Sequence, residues 1–129
     1  MDTKNPGTIG WIDLTVPDAV AIRDFYTWVA GWTPSAVSMG NYQDFCMHAE
    51  GGEMVAGICH ARGENAGIPP VWLIYITVED LEDSVRRCTE YGGKVRSPVR
   101  SFGSQGSFCI IEDPAGAVVA LWEPADQAA

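Results

Sequence analysis

Apolar and polar positions alternate in the same way in two short stretches of the chain. The first stretch is IDLTVPD (Ile12–Asp18) and the second is IYITVED (Ile74–Asp80). A period of two is typical of a β-strand with one buried face. The aliphatic faces would consist of Ile12, Leu14 and Val16 in the first copy and of Ile74, Ile76 and Val78 in the second. The repeat therefore predicts two strands, each with an aliphatic face and a mixed face.

Each predicted strand is followed by a predicted helix. Asp18 and Asp80 end the repeated stretches, and a short carboxylate there can accept hydrogen bonds from the free amides of a first helical turn. Glycines are expected to end the two helices, Gly31 the first and Gly92-Gly93 the second, and Gly31 and Gly93 stand at matching positions. Between these limits the apolar residues at helical spacing are Ile22, Phe25, Tyr26 and Val29, and then Leu81, Val85, Cys88 and Tyr91. We therefore expect one helix after each strand.

Shorter alternating runs, separated by turn residues, follow each helix. The runs are DFCMHAE and MVAGICHA in the first half and SFCIIED and AVVALWE in the second. Each half is thus predicted to be a βαβββ module, over about residues 7–62 and 70–124 of a single domain that takes in residues 1–129. One such module is too small to close a sheet, but two can pair. We expect an α+β fold, in which one curved, mostly antiparallel sheet has a concave cup and both helices lie on its outer face.

The mixed faces of the strands are expected to line this cup. Pockets for small molecules are usually apolar and aromatic, with a few fixed polar groups. The predicted ligand contacts are Trp11, Asp13, Cys59, Tyr75, Phe108 and Trp122. The aromatic side chains either stack on a planar or cationic ligand or fill the cup or a dimer seam themselves. Asp13 has three possible roles: it receives a cationic or hydroxylated group of the ligand, it acts as a base, or it is hydrogen-bonded to nearby backbone or water. Cys59 is expected to be a small buried thiol rather than a nucleophile.

Two longer stretches are predicted to be loops. The first is TPSAVSMGNYQ (Thr33–Gln43), which carries no charge, and the second is KVRSPVRSFGSQG (Lys94–Gly106). If the second loop covers the cup, Arg96 or Arg100 would meet an anionic ligand. The simpler interpretation is a solvated connection.

Composition narrows the classes of partner. The formal net charge of −9, from 17 acidic and 8 basic residues, disfavours a nucleic-acid surface, which needs clustered Lys and Arg. No apolar stretch approaches the roughly 18 residues that span a bilayer, and the start MDTKNPG has no apolar signal core. The 4 cysteines show no CxxC spacing, so we expect reduced thiols rather than a zinc or redox site. A cytoplasmic protein without nucleic-acid or membrane partners is therefore expected.

These features together resemble the vicinal oxygen chelate superfamily, which includes glyoxalase I, the bleomycin-resistance proteins and the extradiol dioxygenases. The resemblance rests on IGWIDLTVPDAVAIRDFYTWVAGW (Ile9–Trp32), WLIYITVEDLEDSVRRCTEYGGKV (Trp72–Val95) and IIEDPAGAVVALWEP (Ile110–Pro124). It implies the paired-module fold, a homodimer, as in many members, and one divalent ion in the cup of the metal-dependent members. Some members exchange modules between the two chains.

The resemblance also implies where metal ligands would stand. In metal-dependent members His or Gln on the first strand of each module, and Glu on the last, typically hold the ion. In this chain those positions are held by Trp11, Gly57, Leu73 and Ala120. None of these side chains can coordinate, so we predict no metal cofactor. A divalent ion would need nonstandard ligands from Asp13, His48, Cys59 and His60; locally bonded or solvent-facing histidines are the simpler interpretation.

Three functions stay open at this point. The first is a metal-free protein, similar to the antibiotic-sequestering members, that binds a small aromatic or amphipathic molecule in the cup. The second is an enzyme, namely a divalent-metal lyase, isomerase or dioxygenase of the glyoxalase type with displaced ligands. The third is a regulatory or interaction module whose cup is filled by its own aromatic side chains. We favour the first, because large aromatic residues near unusable ligand positions are typical of a repurposed pocket.

Overall fold

The computed structural model describes residues 5–125, which form two compact units. The first unit contains residues 12–72, and the second contains residues 5–11 and 73–125. Each unit has one α-helix and a set of strands, so the predicted α+β class is confirmed. Among the described residues, no helix is long and apolar enough to cross a membrane.

The first unit is a βαβββ module, as predicted. Its elements are β1 (Ile9–Val16), α1 (Ala19–Ala30), β2 (Thr33–Ser38), β3 (Gln43–His48), β4 (Met54–His60) and a 3₁₀ turn (Gly63–Asn65). The strands lie side by side in the order β2, β3, β4, β1. The β1 and β4 strands are parallel, whereas the other neighbours are antiparallel. The α1 helix covers one face of the strands, since Ala19 lies in the same buried cluster as strand residues such as Leu14 and Ile58.

The sequence signals that bound α1 act as predicted. The Asp18 carboxylate accepts a hydrogen bond of 3.1 Å from the backbone N of Ala21, and Gly31 ends the helix at a φ of 77°, which favours glycine. The buried core of this unit consists of Leu14, Val16, Ala19, Phe45, Met47 and Ile58. The aliphatic face of β1 therefore packs beneath α1.

The second unit repeats the strand and helix order. Its elements are β5 (Trp72–Thr77), α2 (Leu81–Glu90), β6 (Lys94–Val95), β7 (Arg100–Phe102), β8 (Gly106–Glu112) and β9 (Val118–Pro124). The strands lie in the order β5, β9, β8, β6, and β7 also pairs with β8. The β5 and β9 strands are parallel, whereas β8 is antiparallel to β6, β7 and β9.

The second helix begins and ends where the sequence predicts. The Asp80 carboxylate accepts a hydrogen bond of 3.1 Å from the backbone N of Asp83, and α2 ends at Glu90, just before Gly92, which has a φ of 92°. Gly93 also permits a close approach, because a Cβ there would lie 2.6 Å from Cys88 Sγ. The core under α2 consists of Leu81, Cys109 and Leu121, with Ile76, Val78, Val85 and Ile111 packed against it. The aliphatic face of β5 thus lies on the α2 side.

Two stretches that were predicted to be loops contain strands. Residues Thr33–Ser38 form β2, and Lys94–Val95 and Arg100–Phe102 form β6 and β7. The side chains of β2 are exposed or half-buried along its whole length, so they show no alternation. The β6 and β7 strands have 2 and 3 residues, which is too short for any period to be recognised.

Candidate functional site

In the second unit, one row of side chains crosses four strands. Thr77 pairs with Trp122, Trp122 pairs with Phe108, and Phe108 pairs with Arg100. Directly paired residues in a sheet point to the same face. Because Ile76 lies in the α2 core, Thr77 and the rest of the row lie on the face opposite α2.

Aromatic rings dominate this face. The Tyr75 and Phe108 rings have centroids 6.1 Å apart, and the Phe102 and Trp122 rings meet edge to face at 6.0 Å. These separations are within the range of favourable ring contacts. We call Tyr75, Phe102, Phe108 and Trp122 the aromatic face. It brings together three residues that the sequence predicts as ligand contacts, and adds Phe102.

A glycine makes room for the largest of these rings. A Cβ on Gly106 would lie 2.9 Å from Cζ2 of Trp122 and 2.3 Å from the backbone oxygen of Glu123. Both distances are too short for real Cβ contacts, so the indole packs directly on bare backbone. Gly106 therefore sets the position of the Trp122 ring.

Buried polar atoms of two neighbouring side chains on this face have no hydrogen-bond partner among the described residues. They are Thr77 Oγ1 and Trp122 Nε1, and both atoms are fully buried; Arg100 Nε, at the end of the same row, is a third such atom, although Arg100 takes part in another interaction. Thr77 is 1% exposed and Trp122 is 2% exposed. The backbone of Thr77 is satisfied, since its N donates to Thr8 O at 2.8 Å and its O accepts from Gly7 N at 2.7 Å. Of Thr77, therefore, only the side-chain hydroxyl lacks a partner among the described residues.

The first unit carries a different, polar face. Leu14, Phe45 and Ile58 lie in the α1 core, so their neighbours in the strands point the other way. This polar face consists of Asp13, Asp44, Cys46 and Cys59. Both carboxylates are buried. It contains the predicted contacts Asp13 and Cys59.

The environment of Cys59 keeps its sulfur protonated. Burial, and then the nearby carboxylates of Asp13 and Asp44, raise the pKa of the Cys59 thiol far above its usual value. A thiol becomes a good nucleophile only when its pKa is lowered. This supports the interpretation of Cys59 as a small buried thiol.

The two histidines are held by local contacts. His48 Nδ1 lies 3.0 Å from Gly52 O, and its Nε2 lies 2.8 Å from Ser35 Oγ. The first contact requires Nδ1 to donate to the carbonyl oxygen. His60 is bound to Asp44, which accepts from the His60 backbone N at 2.8 Å and faces its Nδ1 at 3.3 Å.

Two open cavities lie elsewhere in the second unit. One, of about 300 Å³, lies between α2 and the β8–β9 hairpin, beside Arg87, Tyr91 and Pro114. The other, of about 740 Å³, lies at the start of α2 and is lined by acidic residues such as Glu79 and Glu82. Neither cavity is lined by the aromatic face, so neither coincides with the predicted contacts.

Comparison with known proteins settles the family. The sequence profile of the Glyoxalase/Bleomycin resistance protein/Dioxygenase superfamily matches residues 8–121. The chain belongs to this superfamily.

Relatives with curated names support the same assignment. CFP32 of Mycobacterium tuberculosis (strain CDC 1551 / Oshkosh), which is named as a proposed glyoxylase, is 37% identical over 122 residues, covering 91% of this chain and 46% of that protein. The anthracycline biosynthesis protein DnrV of Streptomyces peucetius is 29% identical over 129 residues, covering 91% of this chain and 47% of that protein. The chain thus spans about half the length of the curated relatives it matches.

Solved structures share the fold. Methylmalonyl-CoA epimerase from Mycobacterium tuberculosis superposes with a TM-score of 0.61 at 16% identity, over 98% of this chain and 94% of that chain. A 2,2',3-trihydroxybiphenyl 1,2-dioxygenase from Sphingomonas wittichii strain RW1 has a TM-score of 0.52 at 16% identity, over 89% of this chain and 41% of that chain. At such low identity the likeness extends to the fold alone.

The residues present do not fit the superfamily's metal site. Gly57 pairs with Asp13 and with Cys46 in the sheet of the first unit, and Ala120 pairs with Tyr75 in the second. Neither Gly57 nor Ala120 supplies a donor, and the same holds for Trp11 and Leu73. Within residues 5–125, no group of three or more His, Cys, Asp or Glu side chains could hold a metal ion.

The predicted contacts are thus divided between the two units. Tyr75, Phe108 and Trp122 come together on the aromatic face, while Asp13 and Cys59 share the polar face. Trp11, at the start of β1, belongs to the second unit. Their roles as ligand contacts stay predictions. Sequence reasoning missed Thr77, Phe102 and Asp44, although the position of Thr77 on the mixed strand face was a usable signal.

Proposed function

We propose that this superfamily member binds a small aromatic or amphipathic molecule without forming a covalent bond and without a metal. The observation that carries the proposal is the aromatic face of the second unit, which surrounds Ala120, a position of the superfamily's metal ligands. At the position where a metal-dependent member would hold an ion, this chain has aromatic side chains. Rings bind apolar and planar groups through buried area and stacking.

The rings of this face have different roles in such binding. Tyr75 and Trp122 are buried and form the floor of the face. Phe102 is 45% exposed, so part of its ring is free to contact a ligand. Phe108 is half-buried and contacts Tyr75. A planar ligand would enter beside Phe102 and pack on Phe108.

The polar face supports a ligand with a cationic or hydroxyl group. Asp13 and Asp44 are buried, and both lie close enough to the Cys59 sulfur to raise the pKa of its thiol. Two carboxylates in one buried region create a negative potential. We propose Asp13 as the residue of the first unit that receives such a group. Trp11 and Cys59 are proposed as further contacts.

The names of relatives agree with an aromatic ligand. Two relatives of the chain are named as anthracycline biosynthesis proteins. An anthracycline is therefore a reasonable first compound for a binding assay. The homodimer and the cytoplasmic location stay predictions.

The proposal is tested by calorimetric titration of the protein with an anthracycline, using two matched variants. Phe102→Leu removes a ring of the aromatic face, and Phe25→Leu removes a ring on α1 that is 48% exposed. We expect Phe102→Leu to weaken binding about fivefold or more, since a lost ring contact is worth roughly 1 kcal/mol, and Phe25→Leu to leave it unchanged. Absence of binding, or equal effects of both substitutions, would count against the proposal.

The burial of Tyr75 and Trp122 favours a second candidate, an interaction module whose aromatic residues fill their own site. This candidate gains if no compound shifts the melting temperature while a protein partner co-purifies. The remaining alternative is a divalent-metal lyase, isomerase or dioxygenase of the glyoxalase type with displaced ligands. Stoichiometric Zn, Ni, Mn or Fe in protein purified without a nickel column, lost on Asp13→Asn or His60→Ala, would replace our proposal by that one.

A further inference from the structure

Two buried polar atoms without a hydrogen-bond partner among the described residues, one in the aromatic face and one beside it, point to the chemistry of the ligand. We propose that Thr77 Oγ1 and Trp122 Nε1 together bind a carbonyl-type oxygen carried by an aromatic ligand. This inference rests on the proposed function, and it adds the class of ligand and a residue, Thr77, that the aromatic contacts alone do not specify.

The first step is the energetic cost of the two atoms. Both are buried, and neither has a hydrogen-bond partner in the part of the chain that the structure describes. Burying a hydroxyl or an N–H without a partner is unfavourable, so such groups are rare in folded proteins. Another tryptophan of this chain follows the usual rule, because Trp72 Nε1 donates to the Tyr26 hydroxyl at 3.1 Å. The missing hydrogen bond of Trp122 Nε1 is thus specific to this site, and an acceptor atom of a ligand would supply it.

The second step is the placement of the two atoms. Thr77 and Trp122 are direct partners in the parallel β5–β9 pairing, so their side chains leave adjacent strands on the same face. Adjacent strands lie about 4.8 Å apart. The two side chains are therefore neighbours, and the proposal places a single ligand oxygen between them.

The third step is the type of group that fits. An indole N–H only donates, whereas a threonine hydroxyl both donates and accepts. The shared partner must therefore accept from Trp122, which excludes an amine or ammonium hydrogen at this point. A carbonyl oxygen has two lone pairs and can accept from both residues. The neighbouring rings of Tyr75 and Phe108 favour an aromatic group attached to that carbonyl.

A positive charge in the same row of side chains also favours an oxygen acceptor in the ligand. Arg100 stands two strands from Trp122, in the row that also contains Phe108. A guanidinium is always charged in proteins and favours partial negative charge nearby. An aryl ketone or a quinone matches these features better than a purely apolar ring.

The test uses two probes that differ only in the carbonyl: 1-indanone and indane. Binding is followed by proton–nitrogen NMR, with the Trp122 indole resonance assigned in the unsubstituted protein. We expect the Kd of 1-indanone to be about tenfold lower than that of indane, in line with the usual effect of a hydrogen bond that satisfies a buried group. We also expect 1-indanone, but not indane, to move the Trp122 indole proton downfield.

Two threonine variants complete the design. Thr77→Val should bring the affinity for 1-indanone to that for indane, with no change for indane. Thr15→Val alters the matching residue of the first copy of the repeat, which is buried to a similar degree, and should leave both affinities unchanged. The indole shift needs no substitution, so the test survives a variant that does not fold.

The outcomes separate the two levels of the proposal. If both probes bind equally well and Thr77→Val alters neither affinity, the aromatic face binds rings without recognising a carbonyl oxygen. In that case the proposed carbonyl site is wrong, while the proposed function stands. The same conclusion follows if an ordered water occupies both atoms and stays in place when 1-indanone binds. If neither probe binds at saturating concentration, the inference and the proposed function both fail.

Discussion

Thr77 and Trp122 face each other across the β5–β9 pairing, and each presents a buried polar atom for which the described residues supply no partner. In the free protein, the burial of these unpaired atoms is therefore energetically unfavourable, and they lie beside the aromatic side chains. Groups that are strained or unsatisfied in the free protein often belong to binding sites, since a ligand can form the hydrogen bonds that these groups lack.

Thr77→Val should not destabilise the free protein. Valine has nearly the shape of threonine but lacks the buried hydroxyl, so the variant should equal the wild type or gain up to about 1 kcal/mol in free energy of unfolding. Urea unfolding in the absence of ligand measures this difference. A loss of more than 1 kcal/mol would indicate that the hydroxyl is satisfied in the free protein.

Gly106→Ala should be strongly destabilising. Its Cβ would lie 2.3 Å from the Glu123 oxygen and 3.0 Å from Pro124 Cα, both backbone atoms that cannot rotate away. We expect a loss of about 2–4 kcal/mol, as for other overpacked positions. Gly67→Ala is the control, because a Cβ at Gly67 meets no atom within 4 Å. Thermal unfolding of both variants checks the contrast, and similar melting temperatures would refute it.

Stability should fall at alkaline pH because of the buried thiols. The pKa of Cys59 is raised in the folded state by burial and by the Asp13 and Asp44 carboxylates. Above the usual thiol pKa of 9.0, the unfolded chain loses this proton while the folded protein keeps it, so the free energy of unfolding decreases as pH rises. The slope should approach about 1.4 kcal/mol per pH unit for one thiol.

The Cys59→Ala variant isolates this contribution. Urea unfolding between pH 8 and pH 10 should show a shallower decline for the variant than for the wild type, whatever its stability at neutral pH. Parallel declines of the two proteins would show that Cys59 ionises equally easily in both states.

Asp44 should hold the end of β4 in place. Its carboxylate accepts a hydrogen bond of 2.8 Å from the backbone N of His60. Asp44→Ala leaves that amide without its partner and should cost about 2 kcal/mol. Asp44→Asn keeps an acceptor oxygen and should cost less than half as much. Chemical denaturation of the two variants measures their free energies of unfolding. Equal decreases would assign the effect to the charge of Asp44 instead of to its hydrogen bond.

The parts of the fold that the sequence predicts are those with a local signal. Alternation identifies β1 and β5, and Asp18 and Asp80 identify the starts of the helices, since both carboxylates bond amides of the first helical turn. The β2 strand escaped prediction because its side chains are exposed or half-buried throughout. Without a buried face, a strand leaves no period in the sequence.

The candidate site is less predictable than the fold for a physical reason. Tyr75, Phe108 and Trp122 could be grouped from the sequence, because they lie on the mixed faces of recognisable strands. The role of Thr77 could not, since a threonine with a satisfied hydroxyl and one without look identical in sequence. That distinction depends on which atoms the other strands bring near the hydroxyl.

The most direct test of the account is the site at which a small aromatic molecule binds. Proton–nitrogen NMR during titration with 1-indanone locates that site residue by residue. We predict that the largest shift changes fall on Tyr75, Thr77, Phe102, Phe108 and Trp122. Changes confined to the cavity between α2 and the β8–β9 hairpin, around Arg87 and Tyr91, or no changes at all, would contradict the account.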